Sequence, residues 1–231
     1  MADPDWDHPR ESTPDRRRLS RPGGVTEWAG VCADLAGADG AAVVASSASH
    51  PDTRRVPYST DAAAARVADL LYVLGVGPHA VSMVDGVVST VAVGDAADRA
   101  LWPVLVDELR ALGVEWVQTY PIRVGDTVIG TVQLHCRAPL DSPMSDGIAT
   151  LLRHLTDAIG VDLVAGLLNE PADRDRGGDL VNIAIGVLAA RHAVTVETAS
   201  AMLRAGAYLR GHSSQCEALR VVDSVGGPDR W

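Results

Sequence analysis

Two apolar, β-branched runs, residues 114–124 and 127–136, are separated only by Gly125-Asp126. A two-residue connection containing glycine closes a β-hairpin, so part of this chain must form an antiparallel sheet. Most of the remaining sequence has the period of helices rather than of strands. Helices covering an antiparallel sheet give an α+β architecture, which is the predicted fold class. With 231 residues, 47% of them hydrophobic, the chain can bury a core in one large domain or two small ones, and disorder along its whole length is excluded.

The period along the chain sets the element order. In residues 25–37, Trp28, Val31 or Cys32, and Leu35 share one side of a helix, with Gly37 as its stop. Residues 41–45 read as a short buried strand and residues 54–59 as a second. Asp61 is placed to cap a helix through Leu74 that buries Ala64, Val67, Leu71 and Leu74, and Gly75-Val76-Gly77-Pro78 ends it. Residues 87–93 read as a strand. A helix over residues 98–112 would bury Leu101, Leu105, Leu109 and Leu112 and stop at Gly113. Ser145 caps a long helix to about Leu168. It has two apolar faces: Ile148, Leu152, Leu155 and Ile159 on one, Leu151, Ala158, Ala165 and Leu168 on the other. Two faces predict packing on its own sheet and on a partner helix.

Residues 169–178, NEPADRDRGG, have the composition of a linker. Three helices follow in residues 179–225. Asp179 can cap the first, to about His192. Thr195 caps the second, whose stripe is Val196, Ala199, Leu203, Gly206 or Ala207, and Leu209 or Arg210. Ser214-Gln215-Cys216-Glu217 reads as a capping box opening the third, which would bury Leu219 and Val222. The Pro-, Asp- and Arg-rich residues 1–24 and the tail 226–231 are expected to be loose.

Charge and chemistry narrow the function. The net charge is −10, and all 20 basic residues are arginine. The excess of acid belongs to residues 25–168, with 17 acids against eight bases, whereas residues 179–231 carry five of each. Without lysine there is no P-loop, no Schiff-base chemistry and no kinase phosphate-binding lysine. No G-x-S-x-G, C-x-x-C or H-E-x-x-H pattern is present. His135 and Cys136 are neighbours on a strand and so point to opposite faces. Cys32 and Cys216 read as core filler, and Asp107-Glu108 as a solvated helix face. No catalytic residue, cofactor or metal is therefore expected. Three scattered cysteines, no apolar h-region and no apolar run of 18 residues make a cytoplasmic location the expectation, with no membrane partner.

A succession of short motifs runs through the first block: Gly77-Pro78-His79-Ala80, the strand at 87–93, Arg99-Ala100-Leu101-Trp102-Pro103, Gly113-Val114, Tyr120-Pro121-Ile122, and Ile129-Gly130-Thr131-Val132. In order and spacing this resembles GAF domains of the actinobacterial type, over about residues 25–168. Gly130 inside a strand predicts close backbone approach or a bulge, and Pro103 suits the first turn of a helix. The resemblance implies a sensor fold with a small-molecule pocket over one face of the sheet. Tyr58, His79, Tyr120 and His135 are the candidate ligand-lining residues, with core or surface roles as the alternative. The ligand is not named by any residue.

In residues 179–225 the matching positions are Ala184, Gly186, Leu188, Arg191, His192, Ala199, Leu203 and Arg204, continuing to Arg210 and Ala218. They resemble an ANTAR domain, the three-helix RNA-binding output module of transcription antiterminators. The resemblance implies Arg191, His192, Arg204, Arg210 and Arg220 as RNA-binding residues and hairpin leader transcripts as partner. Arg204 and Arg210 are six apart on a helix and face roughly opposite sides. Ile183, Ile185 and Ser200 stand where many such domains carry Gln, a basic residue and an aromatic.

The expectation is thus a cytoplasmic, signal-responsive antiterminator. A GAF-like unit (25–168) senses and dimerises, a linker (169–178) follows, and an ANTAR-like module (179–225) binds paired RNA hairpins. The second apolar face of the long helix would supply a homodimer seam, and two tethered modules would gain from effective concentration. The alternatives are a ligand-binding or protein-interaction module without RNA affinity, and a DNA-binding regulator.

Overall fold

The computed structural model describes residues 25–47, 50–139, 144–169 and 176–224. The expectations for the two tails, for most of the 169–178 linker and for the side chains of Ala165 and Leu168 lie outside the described residues and side chains. Asp179, expected to cap a helix, instead stands inside one that already begins at Arg176.

Five antiparallel strands form one sheet in the order β2-β1-β5-β4-β3. They are β1 (Gly40–Ser47), β2 (His50–Ser59), β3 (Ser89–Ala92), β4 (Trp116–Val124) and β5 (Thr127–Cys136). The hairpin at Gly125, whose φ is 60°, joins β4 to β5 at the centre of the sheet, as its sequence requires. Gly130 is where β5 comes closest to β1: a Cβ there would sit 2.3 Å from the carbonyl oxygen of Val44. Directly opposite, the β4–β5 register shifts between Ile122 and Arg123, so the bulge and the glycine occur together.

The alternation of each strand assigns a face to each residue. One face carries Val43, Tyr58, Trp116, Tyr120, Ile122, Val132, Leu134 and Cys136. It is covered by α1 (Val25–Ala36) and α6 (Asp146–Asn169), which contribute Ala29, Cys32, Leu152, Ile159 and Leu163. The Trp28 indole N–H donates to Asp162 at 2.9 Å and ties the two helices together. Burial in this layer pushes the Cys32 thiol up to about 12, so it is an inert packing group. On the second face of α6, Leu151 and Val161 are exposed.

The opposite face is covered by α2 (Ala62–Leu74), α3 (Pro78–Asp85) and α5 (Pro103–Ala111). Asp61 caps α2 by accepting from the Ala64 N–H at 2.9 Å, and Gly75 closes it in the left-handed region. Ala64 and Ala68 meet Ala42 and Val44, while Val67 and Leu71 join Val91, Leu105, Leu109 and Val117.

Three local expectations are corrected here. The helix over residues 98–112 is two helices, α4 (Ala96–Leu101) and α5, broken at Trp102 because Pro103 has no N–H to continue the first. Leu101, placed by spacing on the buried stripe, is consequently 66% exposed. Between Gly77 and Gly86, where no element was expected, the chain forms α3, with Pro78 at its first turn and Gly86 in the left-handed region. The strand expected over residues 87–93 is the shorter β3.

The last three helices, α7 (Arg176–His192), α8 (Val196–Arg210) and α9 (Ser214–Asp223), share a core of Val181, Ala184, Ile185, Leu188, Ala199, Leu203, Ala207, Ala218 and Val221. Thr195 caps α8 through the Thr198 N–H, as its sequence position predicts. The cap of α9 is Ser213, one residue before the expected Ser214, and Glu217 takes no part in it. The buried positions of α9 are Ser214, Glu217, Ala218 and Val221, which leaves Leu219 48% exposed rather than in the core. Val222 is partly buried, and Leu209 and Cys216 are exposed rather than core. Among the described residues no single helix is long and apolar enough to cross a membrane.

Candidate functional site

Under α3 the sheet is polar where a purely structural face would be apolar. Ser82, Thr119, Thr131, Gln133 and His135 are all buried, and His79 nearly so. The row follows from register: Gln133 on β5 pairs with Thr119 on β4 and with Ala42 on β1, and Thr131 and His135 are its same-face neighbours. His79 Nδ1 lies 3.0 Å from Thr131 Oγ1, and Ser82 Oγ lies 2.6 Å from Thr119 Oγ1. Thr119 also donates to the Pro78 carbonyl at 2.8 Å, which fastens the first turn of α3 to the sheet. Gln133 donates through Nε2 to Thr131 at 3.4 Å, while its Oε1 is buried and has no hydrogen-bond partner among the described residues. A buried amide oxygen of this kind is costly, and it marks a place where an added donor would be stabilised.

His135 closes the row at the β1 end. A Cβ on Gly40 would collide with its ring and with Asp61, so glycine is needed for the imidazole to fit. Burial pushes the His135 pKa below its ordinary value, against the opposing pull of Asp61 and Asp39. Burial raises that of Asp61, but the Ala64 N–H and the Thr60 hydroxyl outweigh it together and leave the carboxylate low. Burial thus disfavours the charged imidazole, while the hydrogen bonds to Asp61 favour its charged carboxylate.

Of the four ligand-lining candidates, the structure brings His79 and His135 to this face. Tyr58 and Tyr120 lie on the other one, because alternation puts them in register with Val43 and Val132. Tyr120 donates to Gln118 Oε1 at 2.8 Å, and burial pushes its phenol up to about 12. Ser82, Thr119, Thr131 and Gln133 were missed. For Thr131 and Gln133 the signal is alternation: with His135 they are three polar residues at every second position of β5, between the apolar Val132, Leu134 and Cys136. Ser82 on α3 and Thr119 on β4 carry no such signal.

The cations of the last three helices fall into two groups. Arg191 and His192 end α7 and are exposed. Arg210 and Arg220 converge on Glu217, whose carboxylate is only 2% exposed, with N–O distances of 3.1 and 2.6 Å. A Cβ on Gly206 would come within 2.7 Å of Glu217 Oε1, so this glycine opens the space that the carboxylate fills. Hydrogen bonding by Arg220 is the main cause that holds Glu217 below its ordinary pKa. Arg204 points the other way, as its spacing from Arg210 requires. It donates to Ser200 Oγ at 2.9 Å, and its guanidinium stands 5.8 Å from the centroid of the Tyr72 ring on α2.

The chain matches no protein-family model and no curated protein by sequence. It is similar to several solved structures. One is a GAF domain/HD domain protein from Geobacter sulfurreducens, at 18% identity and a TM-score of 0.45, over 63% of this chain and 93% of that one. Another is the GAF-B domain of DevS from Mycobacterium smegmatis, at 16% identity and a TM-score of 0.42, over 62% and 93%. A third is the GAF domain of a two-component sensor histidine kinase from Bacillus halodurans, at 11% identity and a TM-score of 0.42, over 62% and 97%.

Proposed function

We propose that this chain is a signal-responsive regulator. Its sheet domain is a GAF-like sensor, and α7–α9 form an RNA-binding output that acts on hairpin leader transcripts to promote antitermination. The observation that carries this reading is how the antiterminator-like residues divide. Ala184, Leu188, Ala199, Leu203 and Ala218 are the shared core of the three helices, while Arg191 and His192 stand in solvent at the end of α7. The sequence pattern thus has a physical meaning: its apolar positions hold one module together and its exposed cations are left for a partner. The buried polar row with Gln133 Oε1 supports a small-molecule input on the sheet face beneath α3. No residue is assigned a catalytic role.

A second reading, a signalling or interaction module without RNA affinity, is favoured by one observation. Arg210 and Arg220 are both engaged by Glu217, and Arg204 by Ser200 and Tyr72. Phosphate neutralisation dominates nucleic-acid affinity, so the available charge decides between the readings. The test is binding of the full chain to a tandem-hairpin RNA and to duplex DNA across a salt series, beside Arg191→Ala. RNA preference, with a salt slope smaller by about one in the variant, supports the antiterminator. Preference for duplex DNA selects a DNA-binding regulator, and no binding at low salt selects the interaction module.

A further inference from the structure

We propose that the outer face of α2 is an intramolecular receptor for α7–α9, a latch that withholds Arg204 from RNA until it opens. This rests on the RNA reading above and adds its regulation.

The inner face of α2 meets the sheet through Ala64, Val67, Ala68 and Leu71. Its outer face carries Asp69, Tyr72 and Val73, and each engages the last three helices. Tyr72 and Val73 are buried in the same apolar cluster as Val181, Ile185, Leu203 and Ala207. Asp69 accepts from the Ser214 N–H at 3.2 and 3.3 Å and also from the Ser214 hydroxyl, across 145 residues of sequence. A carboxylate is thereby set at the first turn of α9, where its dipole favours negative charge. Arg204 completes the contact over the Tyr72 ring and beside Gly75.

The latch combines an apolar anchor, a charged cap and a cation–π contact, so it is specific, yet it is not sealed. A cleft of about 520 Å³ runs along the seam, rimmed by Arg66, Glu108, Tyr208 and His212. While the guanidinium of Arg204 is pressed against α2, a phosphate cannot reach it from that side. Arg210 and Arg220 are exposed but paired with Glu217, so among the cations implied in RNA contact Arg191 and His192 are the two that are exposed and not held by Ser200, Tyr72 or Glu217. Closed and RNA-bound states therefore compete for one side chain, and any input that loosens α2 shifts the balance.

The test uses the full chain with Ser214→Pro. Ser214 is the first residue of α9, where proline is well tolerated, and Ser213 already has the extended backbone (φ −68°, ψ 158°) that a following proline requires. The substitution removes both donors to Asp69 and leaves the Ser213 cap in place. Tyr72→Leu, which keeps apolar bulk and removes the ring, is the second variant. Hydrogen exchange over α2 and α8 reports opening, and RNA affinity is measured on the same samples. The expected result is faster exchange at the seam and RNA binding tighter by a typical coupling factor, about 5- to 150-fold. Faster exchange with unchanged RNA affinity, where wild type binds measurably, overturns the latch alone. Unaltered exchange in both variants also overturns the latch. Opened variants that bind no RNA at any salt overturn the RNA reading, and its regulation with it.

Discussion

Glu217 and Arg220 are paired at 2.6 Å around a carboxylate that is almost wholly removed from water. Arg210 approaches the same oxygen from α8, so one buried acid clamps α8 to α9. Replacing Glu217 with alanine leaves two half-exposed arginines that water can solvate, so the loss is that of charged hydrogen bonds rather than of an isolated buried ion. The expected cost is about 1–3 kcal/mol, read by chemical denaturation at neutral pH.

The same clamp has a pH signature. The folded pKa of Glu217 lies below its ordinary value of 4.5, so its contribution is fully present above about pH 4.5 and is lost as pH falls through the folded value. Denaturation curves of wild type and Glu217→Gln are expected to differ most near neutral pH and to converge in acid. A gap that stays constant down to acid pH would show that the carboxylate charge is not what holds the helices.

Gly130→Ala tests the close approach of β5 to β1. A methyl group 2.3 Å from the Val44 oxygen forces the central strands apart, so a loss of about 1–3 kcal/mol is expected in thermal or denaturant unfolding.

Gln133→Leu tests the polar row in the opposite direction. Removing a buried amide whose oxygen lacks a described partner is expected to raise the stability of the free protein by about 1 kcal/mol. It should also weaken stabilisation by a small molecule that binds at the polar row beneath α3. A destabilised variant would show that the amide is satisfied in solution.

Ala193 follows α7 with φ at 51°, a conformation that a Cβ disfavours. Ala193→Gly is expected to stabilise the last three helices by about 0.5–1 kcal/mol, measured by hydrogen exchange in α7.

Local signals carried much of this architecture. Asp61, Thr195 and Gly75 bound their helices as their chemistry predicts, and Gly125 and Gly130 mark the turn and the close approach. The failures have physical causes. At residues 98–112 leucine spacing outweighed Pro103, although proline breaks a helix whatever the stripe. In α9 the cap lies one serine earlier than expected, and the buried stripe runs through Ser214, Glu217, Ala218 and Val221, with Glu217 turned inward by its arginine partners, so Leu219 faces solvent. Tyr58 and Tyr120 were grouped with His79 and His135 by residue type, whereas the two-residue period of the strands separates them. The docking of α7–α9 on α2 was not foreseen, although Tyr72 and Val73 lie off the stripe that meets the sheet and so announce a second covered face.

The most direct measurement of the account is hydrogen exchange at the first turn of α9 in the wild-type chain as tandem-hairpin RNA is titrated in. If the module leaves α2 to bind RNA, the Ser214 amide loses the protection given by Asp69 in step with RNA saturation. Saturation by RNA with that protection unchanged would contradict the competition between docking and RNA binding for Arg204.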